Sequence, residues 1–157
     1  MEEKTLPFRF ETARRTVTEP DVVTFVNTVG LFEPIFIDQE YVKKNMPESH
    51  HRRFAPAPLV MSMAMGLVAP HIQGWLDRII EGRRVGFIGG MTGLVARVFA
   101  PVLVGDTIRV TLFAGVSKVS SRGHTLVDLR HLVKNQEDVL CVDFTETILY
   151  LPPAEEK

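Results

Sequence analysis

Residues 54–69 read Phe-Ala-Pro-Ala-Pro-Leu-Val-Met-Ser-Met-Ala-Met-Gly-Leu-Val-Ala, the longest apolar stretch of the chain. It carries Pro56, Pro58 and Ser62 and is followed by Pro70. It falls short of the roughly 18–20 residues that a membrane span needs. What remains is a buried core helix from about Pro58 to Ala69. Being apolar on nearly every side, that helix should be wrapped by the rest of the fold.

The chain after it changes character. The glycine-rich passage Gly82 to Gly93 reads as a turn region or flap, since it has neither the G-x-x-x-x-G-K-[ST] pattern nor a G-x-G-x-x-G opening a helix. Beyond it everything reads as strands. Leu94 to Val104 contains Pro101, which suggests an edge or a bulge. Thr107 to Val119, Thr125 to Lys134 and Val139 to Leu151 are rich in Val, Leu, Ile, Thr and Phe, with a turn at Asn135-Gln136-Glu137-Asp138. Ile72 to Ile80, with Trp75, can extend the helical region.

Before the apolar helix, Leu6 to Val17 could lead in as a strand. Thr18-Glu19-Pro20-Asp21 reads as a helix start. Thr18 caps, Pro20 sits where its missing N–H costs nothing, and Asp21 closes a capping box. Val22, Phe25, Val26 and Val29 follow at helical spacing, and Gly30 is the stop. Leu31 to Ile37 reads as an apolar loop, Asp38 as the N-cap of a helix to about Met46, and Pro47 to Arg53 as a polar connector. Helices first and a meander of strands after predict an α+β fold, residues 1–157 forming a single domain in which an antiparallel sheet curves round one central helix.

Composition narrows the function classes. Across 157 residues the net charge is -1, which gives no field for nucleic acid or an anionic membrane. The single cysteine, Cys141, excludes an internal disulfide and a cysteine-rich zinc site, and suits the cytoplasm as a buried thiol. The acidic start Met1-Glu2-Glu3-Lys4 does not read as a secretory signal. His124 and His131 lie in strand territory without metal-ligand spacing, so neither metal nor cofactor is expected. Met61, Met63 and Met65 read as core packing.

Three stretches in order resemble the MaoC-like hydratase/dehydratase family, whose members have the hot-dog fold. They are Thr18-Glu19-Pro20-Asp21 with Gly30, Pro34, Asp38 and Tyr41; then Ala55-Pro56-Ala57-Pro58-Leu59 opening the apolar helix; and Pro101-Val102-Leu103-Val104-Gly105-Asp106-Thr107, similar to the family's Pro-Val-x-x-Gly-Asp-Thr signature. The resemblance implies a ligand that is an acyl thioester of CoA or of a carrier protein, and reversible hydration of 2-enoyl thioesters. In active members the loop after the first helix reads Gly-Asp-x-Asn-Pro-x-His. Here Gly30 and Pro34 match, but the catalytic Asp falls on Leu31, the Asn on Glu33 and the catalytic His on Phe36. Leucine and phenylalanine cannot perform general acid–base chemistry. The family's His-Gly pair at the helix opening falls on Pro56-Ala57, and Ala57 keeps a backbone N–H that could polarise a thioester carbonyl. Ser62 matches a serine that supports the missing Asp.

The substitute catalytic candidates are therefore Glu33 and His51, with the Ala57 N–H and Ser62 beside them. Glu33 reads equally as a solvated or capping carboxylate, and Asp38 as a cap rather than a catalyst. Leu31, Phe36 and Leu59 are the candidate acyl contacts. The run His50-His51-Arg52-Arg53 is either a phosphate patch for CoA or an exposed loop, and Arg83-Arg84 is a second such run. Three functions stay open: a hydro-lyase using Glu33, His50 or His51; an acyl-CoA-binding protein or partner subunit of a catalytic homologue; and a thioesterase using Glu33. A curved sheet with an unpaired edge also predicts at least a homodimer.

Overall fold

A computed structural model describes residues 6–79, 86–121 and 124–151, the side chains of 73, 77 and 78 excepted; Arg83 and Arg84 lie outside it. The order is β1 (Phe8–Glu11), β2 (Arg15–Thr16), α1 (Glu19–Val29), α2 (Pro34–Ile37), α3 (Gln39–Asn45), α4 (Ala57–Val68), α5 (Ile72–Ile79), β3 (Phe87–Val98), β4 (Thr107–Val119), β5 (Thr125–Lys134) and β6 (Leu140–Leu151). One antiparallel sheet runs β1-β4-β5-β6-β3, with β2 also pairing β4.

Local chemistry sets the first helix. The Thr18 N–H and hydroxyl both donate to one Asp21 carboxylate oxygen, at 2.8 and 2.7 Å, while Arg15 donates to the other at 2.7 Å. Partial burial pushes the Asp21 carboxyl up, but those hydrogen bonds and the Arg15 charge outweigh it and leave the group below its ordinary value. Gly30 closes the helix at φ 71°, a left-handed conformation that glycine adopts without strain. The Asp38 carboxylate accepts from the Tyr41 N–H at 3.0 Å, so α3 is capped as expected.

Core-facing residues alternate along β4 (Ile108, Val110, Leu112, Ala114), β5 (Val127, Leu129, His131, Val133) and β6 (Val142, Phe144, Glu146, Ile148). The buried face of α4 packs onto this surface with Leu59, Val60, Met63, Ala64 and Val68. At the β5–β6 turn the Asn135 side chain accepts from the Glu137 and Val139 N–H groups, and Asp138 takes φ 63°.

Four expectations are corrected. The segment 31–37 is not all loop, because Pro34–Ile37 closes a helical turn. The connector 47–53 contains a 3₁₀ turn at Glu48–His50. Much of the glycine-rich passage is strand: β3 begins at Phe87 and absorbs Gly89 and Gly90 through register shifts, Gly90 at φ 140°, and it ends before Pro101. Nor is α4 wrapped on all sides, since Pro58, Ser62 and Gly66 form an exposed stripe one helical turn apart. β3 pairs only with β6 among the described strands, and its apolar side chains stand open, Val95 61% and Val98 58% exposed.

Candidate functional site

The signature segment and the start of α4 are stitched to each other. Ala55 donates its N–H to the Val102 carbonyl at 2.8 Å, Val104 donates to the Arg53 carbonyl at 2.9 Å, and Phe54 bridges Leu103. Asp106, 3% exposed, accepts from the Leu103 N–H at 2.9 Å, from Arg52 Nη2 at 2.9 Å and from Gln136 Nε2 at 3.2 Å. Arg52 also donates to the Val104 carbonyl. Arg53 donates through Nε to Glu19 and through Nη1 to the Phe36 carbonyl. Both arginines thus hold loops together.

This stitching delivers the N-terminus of α4 to a cavity of about 480 Å³. Phe36, Phe54 and Phe99 supply aromatic walls, Val60 of α4 and Val98 and Val142 of the sheet supply aliphatic ones, and Ala100 to Val102 close one end. Ala57 lines the cavity as the first residue of α4. Pro58 has no N–H, and the Val60 N–H is taken by the Pro56 carbonyl. The first-turn N–H groups of Ala57 and Leu59 are therefore the donors that a helix start offers to a carbonyl oxygen.

His50 is the one ionisable side chain in this lining. Its Nδ1 lies 2.9 Å from the Ser49 hydroxyl, and its ring stacks on Phe54 at 6.1 Å between centroids. The neighbouring candidate His51 turns away, with Nε2 3.0 Å from the Met46 carbonyl. Which of two adjacent histidines faces the cavity is set by the 3₁₀ turn, and no pattern in the sequence distinguished them. Glu33 is exposed at the start of α2, makes no side-chain cap bond and is absent from the cavity wall. Ser62 is exposed on the far stripe of α4, where its hydroxyl donates to the Pro58 carbonyl at 2.9 Å. Leu31 is half-buried outside the lining, and Leu59 packs into the main core. Of the expected residues, Phe36 and Ala57 meet at the cavity; Glu33, His51, Ser62, Leu31, Leu59, Arg52 and Arg53 do not line it.

Among the described residues no group of three His, Cys, Asp or Glu could hold a metal ion, and no helix is long and apolar enough to cross a membrane. Val98 and Phe99 belong both to the cavity wall and to the exposed apolar edge, each 58% exposed. The cavity therefore shares its outer wall with the unpaired side of the sheet.

Residues 5–144 match the family model described as FAS1-like, dehydratase domain region. No curated protein sequence matches the chain. Among solved structures, a monoamine oxidase regulatory protein from Archaeoglobus fulgius superposes with a TM-score of 0.76 at 26% identity, over 94% of this chain and 90% of that one. A MaoC-like dehydratase from Rhodospirillum rubrum gives 0.67 at 16% identity, over 94% and 92%. A 3R-hydroxyacyl-ACP dehydratase complex from Mycobacterium tuberculosis gives 0.67 at 16% identity, over 94% and 99%. The sheet with α4 on its inner face is thus the hot-dog fold.

Proposed function

Since the chain belongs to the FAS1-like dehydratase-region family, MaoC-like proteins of the hot-dog fold, we propose that it is the acyl-holding partner in a hydratase/dehydratase assembly. It binds an acyl thioester of CoA or of a carrier protein in the α4 cavity. A second hot-dog chain, a catalytic homologue above all, supplies the Asp and His. One observation carries this reading: Phe36, at the position the resemblance gives to the catalytic His, lines a cavity in which His50 is the only ionisable side chain among the described residues. Hydrating an enoyl thioester takes one group to accept a proton from water and one to deliver a proton to carbon. Glu33 and Ser62, both exposed and outside the lining, offer no second group.

The partner reading draws support from the open β3 edge and from the fact that one structural relative is itself a complex. The lone buried Cys141 fits a cytoplasmic setting. A second reading rests on His50: a single base beside the Ala57 N–H suits slow hydration or thioester hydrolysis by the chain alone.

Calorimetry and thermal shift with saturated acyl-CoAs of several lengths, together with turnover of a short 2-enoyl-CoA, test the proposal. Binding is expected, with turnover slow or absent, and Val60→Trp should abolish the binding by filling the cavity. No heat and no thermal shift at any length would remove the acyl-thioester reading. Turnover at an ordinary rate of about 10 s⁻¹ by the chain alone would remove the partner role, and its loss in His50→Gln would assign that activity to His50.

A further inference from the structure

Outside the cavity, one buried polar pair serves no role described so far. His131 of β5 is 0% exposed and Glu146 of β6 is 10% exposed by side chain, and both face the core between the sheet and α4. The His131 ring lies flat on Phe144, with centroids 4.3 Å apart and planes 5° from parallel, and this fixes its orientation. Nδ1 is 3.0 Å from the Leu129 carbonyl. A carbonyl only accepts, so Nδ1 carries the proton and Nε2 presents a lone pair. Among the described residues that lone pair has no hydrogen-bond partner, and it faces Glu146 Oε1 across 3.5 Å. Two bare acceptors would repel each other there, and a buried acceptor left alone is costly. A proton on Glu146 removes both difficulties.

We propose that His131 and Glu146 share one proton, held by Glu146 as a neutral carboxylic acid that donates to a neutral imidazole, and that this pair is a proton-operated lock in the sheet beneath α4. The lock joins β5 to β6. Glu146 also stands opposite Leu94 in the β3–β6 register, so it lies one strand from the open edge. Losing the proton leaves an anion in a core where no described residue supplies a cation to meet it.

Among the described residues the surroundings contain no rival charge. Opposite His131 stand Leu112 on β4 and Phe144 on β6, and opposite Glu146 stand Leu129 on β5 and Leu94 on β3. The buried faces of α1 (Val22, Val26) and α4 are apolar, as are Trp75 and Leu76 of α5. Among the described residues the other buried ionisable groups are three. Asp106 is engaged by Arg52 and Gln136, the Cys141 thiol contacts the Val139 carbonyl, and Tyr150 lies beyond Ile148 on β6.

Burial moves both members towards neutrality, lowering His131 from 6.5 to about 4 and raising Glu146 above 4.5. From about pH 4.5 to 6.5 the unfolded chain carries one proton, on the imidazole, and the folded chain carries one, on the carboxyl, for as long as that carboxyl stays protonated. The pair then adds no pH slope. Where the unfolded imidazole, ordinarily 6.5, has lost its proton and the folded carboxyl still holds its own, stability falls as pH rises.

Glu146→Gln tests this, because the amide still donates to Nε2 and cannot titrate. Thermal and urea unfolding of the full chain are measured across pH. Because His131 titrates in both proteins, relative to the Gln variant the wild-type unfolding constant should rise tenfold per pH unit from about pH 4.5, where the unfolded carboxyl ionises, until the native carboxyl titrates. Profiles for the two proteins that stay parallel from pH 4.5 upward would overturn the shared proton. Should the Gln variant fail to fold, nitrogen NMR of His131 in wild type decides. A neutral ring with protonated Nδ1 at pH 6 is expected, and an imidazolium signature there would overturn the proposal.

Discussion

Replacing Asp106 by alanine should unfold the chain far more readily, and the loss can be worked from its three donors. The Leu103 N–H, on a residue 4% exposed, would lose its acceptor at 2.9 Å. A buried orphaned donor costs about 1–3 kcal/mol. Arg52, with its side chain 50% exposed, can turn to water, as can the exposed Gln136, so each adds roughly 0–1 kcal/mol. The sum is about 1–5 kcal/mol, a large share of the roughly 5–15 kcal/mol that domains have. For a chain of this length each kcal/mol moves the midpoint by about 2–4 °C, so Tm should drop by roughly 2–20 °C. Urea unfolding should show a lower midpoint at unchanged m-value. Asp106→Asn, which keeps an acceptor for Leu103, should lose about half as much. A loss below about 1 kcal/mol in the alanine variant would refute the idea that this carboxylate stitches the signature segment to the start of α4.

Val98→Glu places a charge on the open edge at a side chain 58% exposed, so the isolated fold should change by no more than about 0.5 kcal/mol while self-association or partner binding is lost. Unchanged sedimentation, with or without a catalytic homologue, would argue against that edge as the contact. The pair Leu31→Asp and Phe36→His restores the family's loop at a cost of about 1–3 kcal/mol for each polar group left unpaired. It should raise 2-enoyl-CoA hydration, and a folded, acyl-binding double variant with no gain would refute this. Asp21→Ala should cost about 1 kcal/mol at neutral pH by removing the capping box. The Asp21 carboxyl is held below its ordinary 3.8, so its contribution is full above that pH and is lost as pH falls through the lower folded value. Equal deficits at neutral pH and in strong acid would contradict this.

Features that depend on neighbours in sequence were legible. Thr18, Asp21 and Gly30 bracket α1 by local capping chemistry, Asn135 makes its own turn, and the apolar run 57–68 can only be a core helix. Features that depend on distant partners were not. Arg52 and Asp106 lie 54 positions apart, so nothing near Arg52 announces that its charge is already paired. The helical turn at Pro34–Ile37 is shorter than any periodicity can register. Gly89 and Gly90 read as a turn because glycine is weak in strands, yet bulges in β3 accommodate them. One signal went unused. Along β6 the alternation Val142, Phe144, Glu146, Ile148 sets a carboxylate among inward-facing apolar side chains, and that pattern marks a buried acid.

Val98 and Phe99 serve the cavity and the sheet edge at once. Whatever covers that edge also closes the chamber behind it, so occupancy and assembly become two readings of one equilibrium. A ligand titration would then return a different affinity at every protein concentration, and dilution alone would empty the chamber.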